Sequence, residues 1–326
     1  MWTLLKRINQ NLVTAIPVMM ALGFGYGTLC YPAFLKRLIV PLTFLMVYPM
    51  MVTLNVRRVF SGGDGRAQLL GQAINFAIIP FLAYGAGRLF FPQQPYMALG
   101  LLLAGLVPTS GMTISWTGFA GGNTAAAVKM TVIGLSLGSV ATPFYVKFLL
   151  GTAIAVDLLA VGQQILVIVF LPMALGFATQ QALIRRYGRQ AFQTRLAPRF
   201  PGLSTLGVLG IVFVAMALKA RAIAGAPDLL LVILAPLALV YAANYLLSTF
   251  LGRLLLPRED AIAMVYGTVM RNLSIALAIA INAFGPQGST AALVVAMAYV
   301  IQVQSAAWYV KFTDRIYGAR AVAAAA

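Results

Sequence analysis

Apolar residues run through this chain in blocks of about 20 positions, separated by short groups of Gly, Pro, Lys and Arg. A block of that length with almost no charge matches the roughly 20 residues an α-helix needs to cross bilayer hydrocarbon. Ten such blocks follow one another, at 11–29, 38–54, 68–91, 97–119, 124–150, 158–182, 202–220, 228–250, 260–283 and 288–312. The gaps hold Pro32, Gly62-Gly63-Asp64-Gly65, Pro92 with Pro95, Gly121-Gly122, Pro201, Pro257 and Gly285-Pro286, residues that stop helices or turn the chain. The pattern predicts an all-α integral membrane protein, one domain over 1–326, with ten transmembrane helices.

Two blocks carry an interruption. Pro108-Thr109-Ser110-Gly111-Met112-Thr113 sits in the middle of the fourth, and Met270-Arg271-Asn272-Leu273-Ser274 in the middle of the ninth. A helix opened at bilayer depth leaves carbonyls and amides without partners, which is tolerated only where they face protein, a cavity or a ligand. A pair of interrupted spans in matching places points to a transport site.

The blocks also repeat. Gly87-Arg88-Leu89-Phe90-Phe91-Pro92 returns as Gly252-Arg253-Leu254-Leu255-Leu256-Pro257, Thr124-Ala125-Ala126 as Thr290-Ala291-Ala292, and Tyr145-Val146-Lys147-Phe148 as Tyr309-Val310-Lys311-Phe312. All three occur in order at nearly one offset. Five spans per half is an odd number, so the second copy enters the membrane upside down. The expected plan is two inverted five-helix repeats, 11–150 and 158–312, whose broken helices 4 and 9 cross near the midplane.

The 326 residues are 61% hydrophobic and 9% charged, too little charge to clothe a water-facing surface. The net charge of +17 comes from Lys and Arg in the short loops, which suits anionic lipid headgroups and argues against nucleic acid. Most of these residues, including Lys6, Arg7, Arg57, Arg58, Arg66, Arg185, Arg186 and Arg320, fall on one side of the predicted spans. Both termini are therefore expected in the cytoplasm, with the bacterial inner membrane as the setting. Cys30 is the only cysteine and histidine is absent. No disulfide, thiolate cluster or usual general base is available, so no enzyme, resident metal or cofactor is expected.

No carboxylate falls at mid-span: Asp64, Asp157, Asp228, Glu259, Asp260 and Asp314 all lie in gaps or at span ends. Arg271 does fall at mid-span, too far from either end to snorkel. Beside it, Thr109, Ser110, Gly111, Met112, Thr113, Asn272 and Ser274 offer hydroxyls, amides and close backbone approach. Half-helix N-termini add partial positive charge. With Gln302 of the tenth block these residues form the candidate site for a small or amphipathic anion. Arg271 also reads as an arginine tied to opened carbonyls. Lys129 is a second candidate built-in charge, or an ordinary interfacial lysine. Backbone carbonyls with Asn75, Thr113 and Thr131 could hold sodium only weakly.

These features resemble the bile acid:sodium symporter family and its arsenite-efflux relatives. Asn75-Phe76-Ala77-Ile78-Ile79-Pro80 looks like the family's third-helix pattern, Pro108 through Asn123 like its first crossing, and Met270-Arg271-Asn272 like its second. The resemblance implies a core bundle holding the crossed helices and a panel of helices 1, 2, 6 and 7. It also implies sodium positions at Asn75, Thr113, Thr131, Gly267 and Met270. In the sodium-coupled branch the position of Gly267 carries a glutamate, that of Arg271 a glutamine, that of Asn75 a glutamine and that of Ile114 an asparagine. The arsenite branch has a cysteine where this chain has Thr109 and an acid at Gln302. The expectation is thus a secondary transporter of a small anion by alternating access, with weak or absent sodium coupling. A metalloid efflux permease and a membrane ligand sensor are the alternatives.

Overall fold

The computed structural model describes residues 11–30, 32–53, 64–154, 156–225 and 228–318, and helix occupies each of the ten predicted blocks. The elements are α1 (Leu12–Leu29), α2 (Ile39–Val52, entered through a 3-10 turn at Pro32–Leu38), α3 (Gly65–Phe90) and the broken pair α4a (Pro95–Leu106) and α4b (Gly111–Phe119). There follow α5 (Thr124–Leu150), α6 (Leu158–Ile165, a π turn at Leu166–Phe170, then Leu171–Tyr187), α7 (Phe200–Gly225) and α8 (Asp228–Leu255). A second broken pair, α9a (Arg258–Val269) and α9b (Leu273–Ala283), leads to α10 (Gly288–Tyr317). No strand occurs among the described residues, apart from one isolated bridge discussed below. Lys6, Arg7, Arg57, Arg58, Arg320 and the alanine-rich tail lie outside the described residues.

Several helices outrun their apolar blocks. α6 continues to Tyr187 past Arg185 and Arg186, and α10 to Tyr317 past Lys311 and Arg315. Helix propagation does not stop where hydrocarbon does, and basic residues suit a helix C-terminus. By length and composition, five helical stretches are apolar enough to cross a bilayer: Gly65–Phe90, Thr124–Leu150, Arg189–Arg221, Asp228–Leu255 and Gly285–Tyr317. Shorter apolar helices lie at Thr14–Leu29, Val40–Val52, Pro95–Leu106 and Leu273–Ala283. The outward faces of the long helices carry Leu69, Phe148, Leu246, Phe250 and Leu254, each more than 60% exposed. In water that surface would cost about 25 cal/mol per Å²; against lipid it costs nothing.

α7 packs along α1 and α2, and α6 along α2. The other helices gather around the breaks: α3 on α4a, α8 on α9a, and α10 on both α4a and α9b. Pro80 explains a local feature of α3. It cannot donate to Phe76, and the helix widens into a π turn at Ile74–Ile78. The Tyr145 hydroxyl of α5 donates to that Phe76 carbonyl at 2.5 Å.

One acid expected to lie in a gap is buried. Asp64, 6% exposed, pairs with Lys129, which is 4% exposed rather than reaching an interface. Gln68 completes the cluster, its Nε2 donating to Asp64 Oδ2 at 3.0 Å and to the Ala126 carbonyl at 2.9 Å. A buried charge stripped of its partner is costly, whereas replacing both by apolar groups is close to neutral. Lys129→Met alone is therefore expected to destabilise the protein by about 3–5 kcal/mol, and Lys129→Met with Asp64→Leu by far less. Thermal unfolding in detergent measures both.

Candidate functional site

The two interruptions meet. Pro108 and Arg271 face each other in an antiparallel bridge, and the Asn272 amide donates to the Val107 carbonyl at 2.8 Å. Each break thus supplies a backbone partner to the other, which is what opened peptide groups at bilayer depth require. Thr109 follows Pro108 with φ +66°, a left-handed conformation that costs a β-branched residue on the order of 1–3 kcal/mol. Its hydroxyl donates to its neighbour's carbonyl (2.6 Å) and lies 3.2 Å from the Thr131 carbonyl of α5. Gly138 lets the break sit this close to α5, since a Cβ there would stand 2.5 Å from Pro108 Cδ.

Side-chain amides satisfy the rest. At the C-terminal end of α9a, Asn75 Nδ2 of α3 donates to the Gly267 carbonyl (3.0 Å) and Asn244 Nδ2 of α8 to the Thr268 carbonyl (2.8 Å). Ser248 bridges Asn244 Oδ1 and the Thr268 hydroxyl. Gln302 of α10 brackets Arg271, its Oε1 accepting from the Arg271 amide (2.8 Å) and its Nε2 donating to the Arg271 carbonyl (3.2 Å). The same Oε1 accepts from the Tyr241 hydroxyl at 2.8 Å. Gln302, fully buried, is therefore a crossbar for the break.

The second half-helices start with caps. Ser110 Oγ accepts from the Met112 amide, and Thr113 Oγ1 accepts from the Ser110 amide, the reciprocal arrangement of a capping box. Asn272 Oδ1 accepts from the Ile275 amide at the head of α9b. The first amides of α4b and α9b have no acceptor within their own helices and point along the positive end of each helix. Beside these heads lies a cavity of about 280 Å³. One wall comes from Ser110, Gly111, Met112, Ser115, Ser274 and Tyr299, the other from Ile16, Met50, Ser204, Thr205 and Val208 on α1, α2 and α7. Ser274 and Tyr299 share a hydroxyl–hydroxyl bond of 2.6 Å. A second cavity, about 420 Å³, opens between the same groups of helices nearer the other ends of α7 and α9b, lined by Val40, Ala215, Leu218, Ile281, Asn282 and Ser289.

The structure divides the anion constellation expected from sequence. Ser110, Gly111, Met112 and Ser274 line the 280 Å³ seam cavity. Thr109, Thr113, Asn272 and Gln302 are buried in the crossing and hold its backbone. The Arg271 guanidinium lines neither seam cavity. It borders a separate small space between α3, α4a and α8. Sequence reasoning missed Tyr241, Asn244, Ser248 and Tyr299. The first three recur on one face of α8 at spacings of three and four, a polar stripe that could have been read from the sequence.

The residues that the resemblance aligns with sodium positions bond or pack within the protein. A Cβ on Gly267 would fall inside van der Waals contact of Met130 Sδ, so a buried thioether fills the space an acid would need. The Gly267 carbonyl accepts from Asn75, and the Thr131 hydroxyl donates to the Ala127 carbonyl at 2.8 Å. Met270 is fully buried. Lys129 is neutralised by Asp64.

Comparison with known proteins gives the chain its relatives. Residues 40–226 match the family model described as the Sodium Bile acid symporter family. The chain is 25% identical to the uncharacterized protein YbaS of Bacillus subtilis over 220 residues, 67% of this chain and 70% of that protein. It is 23% identical to an uncharacterized transporter of Synechocystis sp. over 283 residues, 80% of this chain and 73% of the other. It is also 20% identical to an arsenical-resistance protein of Corynebacterium glutamicum over 229 residues, covering 67% of this chain and 62% of that one.

Gly267→Ala pushes a methyl against Met130, which is buried and cannot swing clear. The substitution is expected to cost about 1–3 kcal/mol by overpacking. Adding Met130→Ala should recover part of that loss. A double-mutant cycle on melting temperature measures the coupling, and additive effects would contradict the contact.

Proposed function

The chain belongs to the sodium bile acid symporter family of membrane transport proteins, and we propose that it moves a small or amphipathic organic anion by alternating access, with weak or absent sodium coupling. The carrying observation is the seam cavity. It holds the heads of α4b and α9b on one wall and the apolar side chains of α1, α2 and α7 on the other. Helix N-termini favour an anionic group; Ile16, Met50 and Val208 favour an apolar body. Two cavities along one seam, with buried Met46, Ile211, Val212 and Leu277 on the helix stretches between their lining residues, suit a substrate that is passed from one to the other as α1, α2, α6 and α7 shift against the rest.

The ten-span, inverted-repeat plan is part of this reading. It is supported by the sequence repeats taking similar places: Gly87 packs on Ala98 in the α3–α4a hairpin, and Gly252 on Ala261 in the α8–α9a hairpin. Tyr145 of α5 bonds back to α3, and Tyr309 of α10 bonds back to α8. The reading also takes 1–326 as one domain in a bacterial inner membrane with cytoplasmic termini, and it needs no cofactor or catalytic step. The cavity at Ser110 lies toward the Thr53 and Pro201 ends of α2 and α7, which makes it the inward one.

Sodium independence follows from the charges. The sodium-coupled branch balances its cations with an acid where this chain has Gly267, and Met130 fills that volume. No acid lines the space around Arg271 either, so a coupled cation would find no counter-charge there. Uptake of a stabilising anion into proteoliposomes is expected to change less than about twofold when the sodium gradient is removed. Steep sodium stimulation would overturn this coupling scheme.

Metalloid efflux is the second reading, favoured by the arsenical-resistance relative. Against it, Thr109 takes the place of a thiolate at the crossing, and the one cysteine, Cys30, lies exposed at the end of α1. A thermal-shift screen of small carboxylates, sulfonates and arsenite separates the two. Stabilisation by an organic anion, lost in Ser274→Trp, is expected; stabilisation by arsenite alone would favour efflux.

A further inference from the structure

Arg271 is 2% exposed, and neither Nη1 nor Nη2 has a hydrogen-bond partner among the described residues. The guanidinium borders a space lined by Ile79, Leu101, Ala104, Leu237, Val240 and the polar pair Tyr241 and Asn244. No Asp or Glu is among the residues that line it. A buried, unpaired cation costs several kcal/mol, so something must compensate it.

The donors of the neighbouring polar groups are already committed. The Tyr241 hydroxyl donates to Gln302, Asn244 Nδ2 donates to the Thr268 carbonyl, and Asn244 Oδ1 accepts from Ser248. The two terminal guanidinium nitrogens are left, and both are donors only. A water there would accept from them and donate on to the Tyr241 hydroxyl oxygen or Asn244 Oδ1, but it would leave the charge uncancelled. An anion needs donors alone and also cancels the charge. Size narrows the choice further. The space is about 10 Å³, roughly room for one water-sized centre. A carboxylate or phosphate has too many heavy atoms to fit.

We propose that Arg271 holds a single monatomic anion of the halide class, chloride in the cell, in the small cavity between α3, α4a and α8, distinct from the seam cavity. The ion balances the guanidinium and fixes it behind the crossing, so that binding stabilises the junction of α9a and α9b. This site does not depend on what the seam cavity carries, and it stands or falls separately from the transport reading.

Bromide replaces chloride and scatters anomalously. Crystals of the purified full chain grown in sodium bromide are expected to show an anomalous peak in contact with Nη1 or Nη2 of Arg271. In detergent at constant ionic strength, exchanging gluconate for chloride or bromide is expected to raise the melting temperature saturably by a few degrees. Ala104→Leu fills the space while keeping the guanidinium, and should abolish that rise; Arg271→Gln should do so by removing the charge. Should either variant fail to fold, the wild-type bromide peak decides. Absence of the peak, or an equal halide response in wild type and folded Ala104→Leu, would overturn the proposal.

Discussion

A peptide group at bilayer depth must find a partner inside the protein, and the architecture around residues 107–110 and 270–272 follows from that requirement. Pro108 and the Met270–Asn272 step each break a helix. Neither break is tolerable alone, since every orphaned amide or carbonyl costs several kcal/mol in hydrocarbon. The breaks pair with each other through Asn272 and Val107, and amide side chains from three other helices take what is left. Asn75, Asn244 and Gln302 are thus held in place by the backbone they serve. The result is a rigid junction whose two half-helix heads face a cavity through Ser110 and Ser274.

Fixing the crossing with protein groups has an electrostatic consequence. Arg271 puts a full positive charge at the junction, while Met130 and the Asn75 amide fill or bond the places where a sodium site would form. The guanidinium turns away from the seam, toward α8. Its backbone and its side chain therefore serve different ends. The backbone holds the break against Gln302, and the charged head demands compensation on the far side.

Much of this was legible in the residues. Blocks of apolar length foretold the helices, and Pro108 with Gly111 foretold the first opening, because proline and glycine act on the backbone locally. Arg271 stood out because a charge at mid-span is expensive wherever it points. The direction of its side chain was not legible. Position in a span fixes depth, while the facing helix fixes orientation, and that depends on α8 packing against α9a. Met130 in the volume beside Gly267 was hidden for the same reason, being 137 positions away in the chain. Tyr241, Asn244 and Ser248 left a trace in their spacing, but a polar stripe on an apolar helix does not say which carbonyl it serves. Asp64 beside Lys129 was masked by its place in a Gly-rich gap, which reads as a solvent-facing turn.

The central claim is that the two half-helix heads share one aqueous cavity while the Arg271 guanidinium lies behind them, away from it. Single cysteines placed in a Cys30→Ser background test this directly with a membrane-impermeant maleimide. Ser115→Cys and Ser274→Cys are expected to react from the same side of the membrane, and Val240→Cys beside the guanidinium to stay unreactive from both. Labelling of Ser115→Cys and Ser274→Cys from opposite sides, or ready labelling of Val240→Cys, would contradict the arrangement.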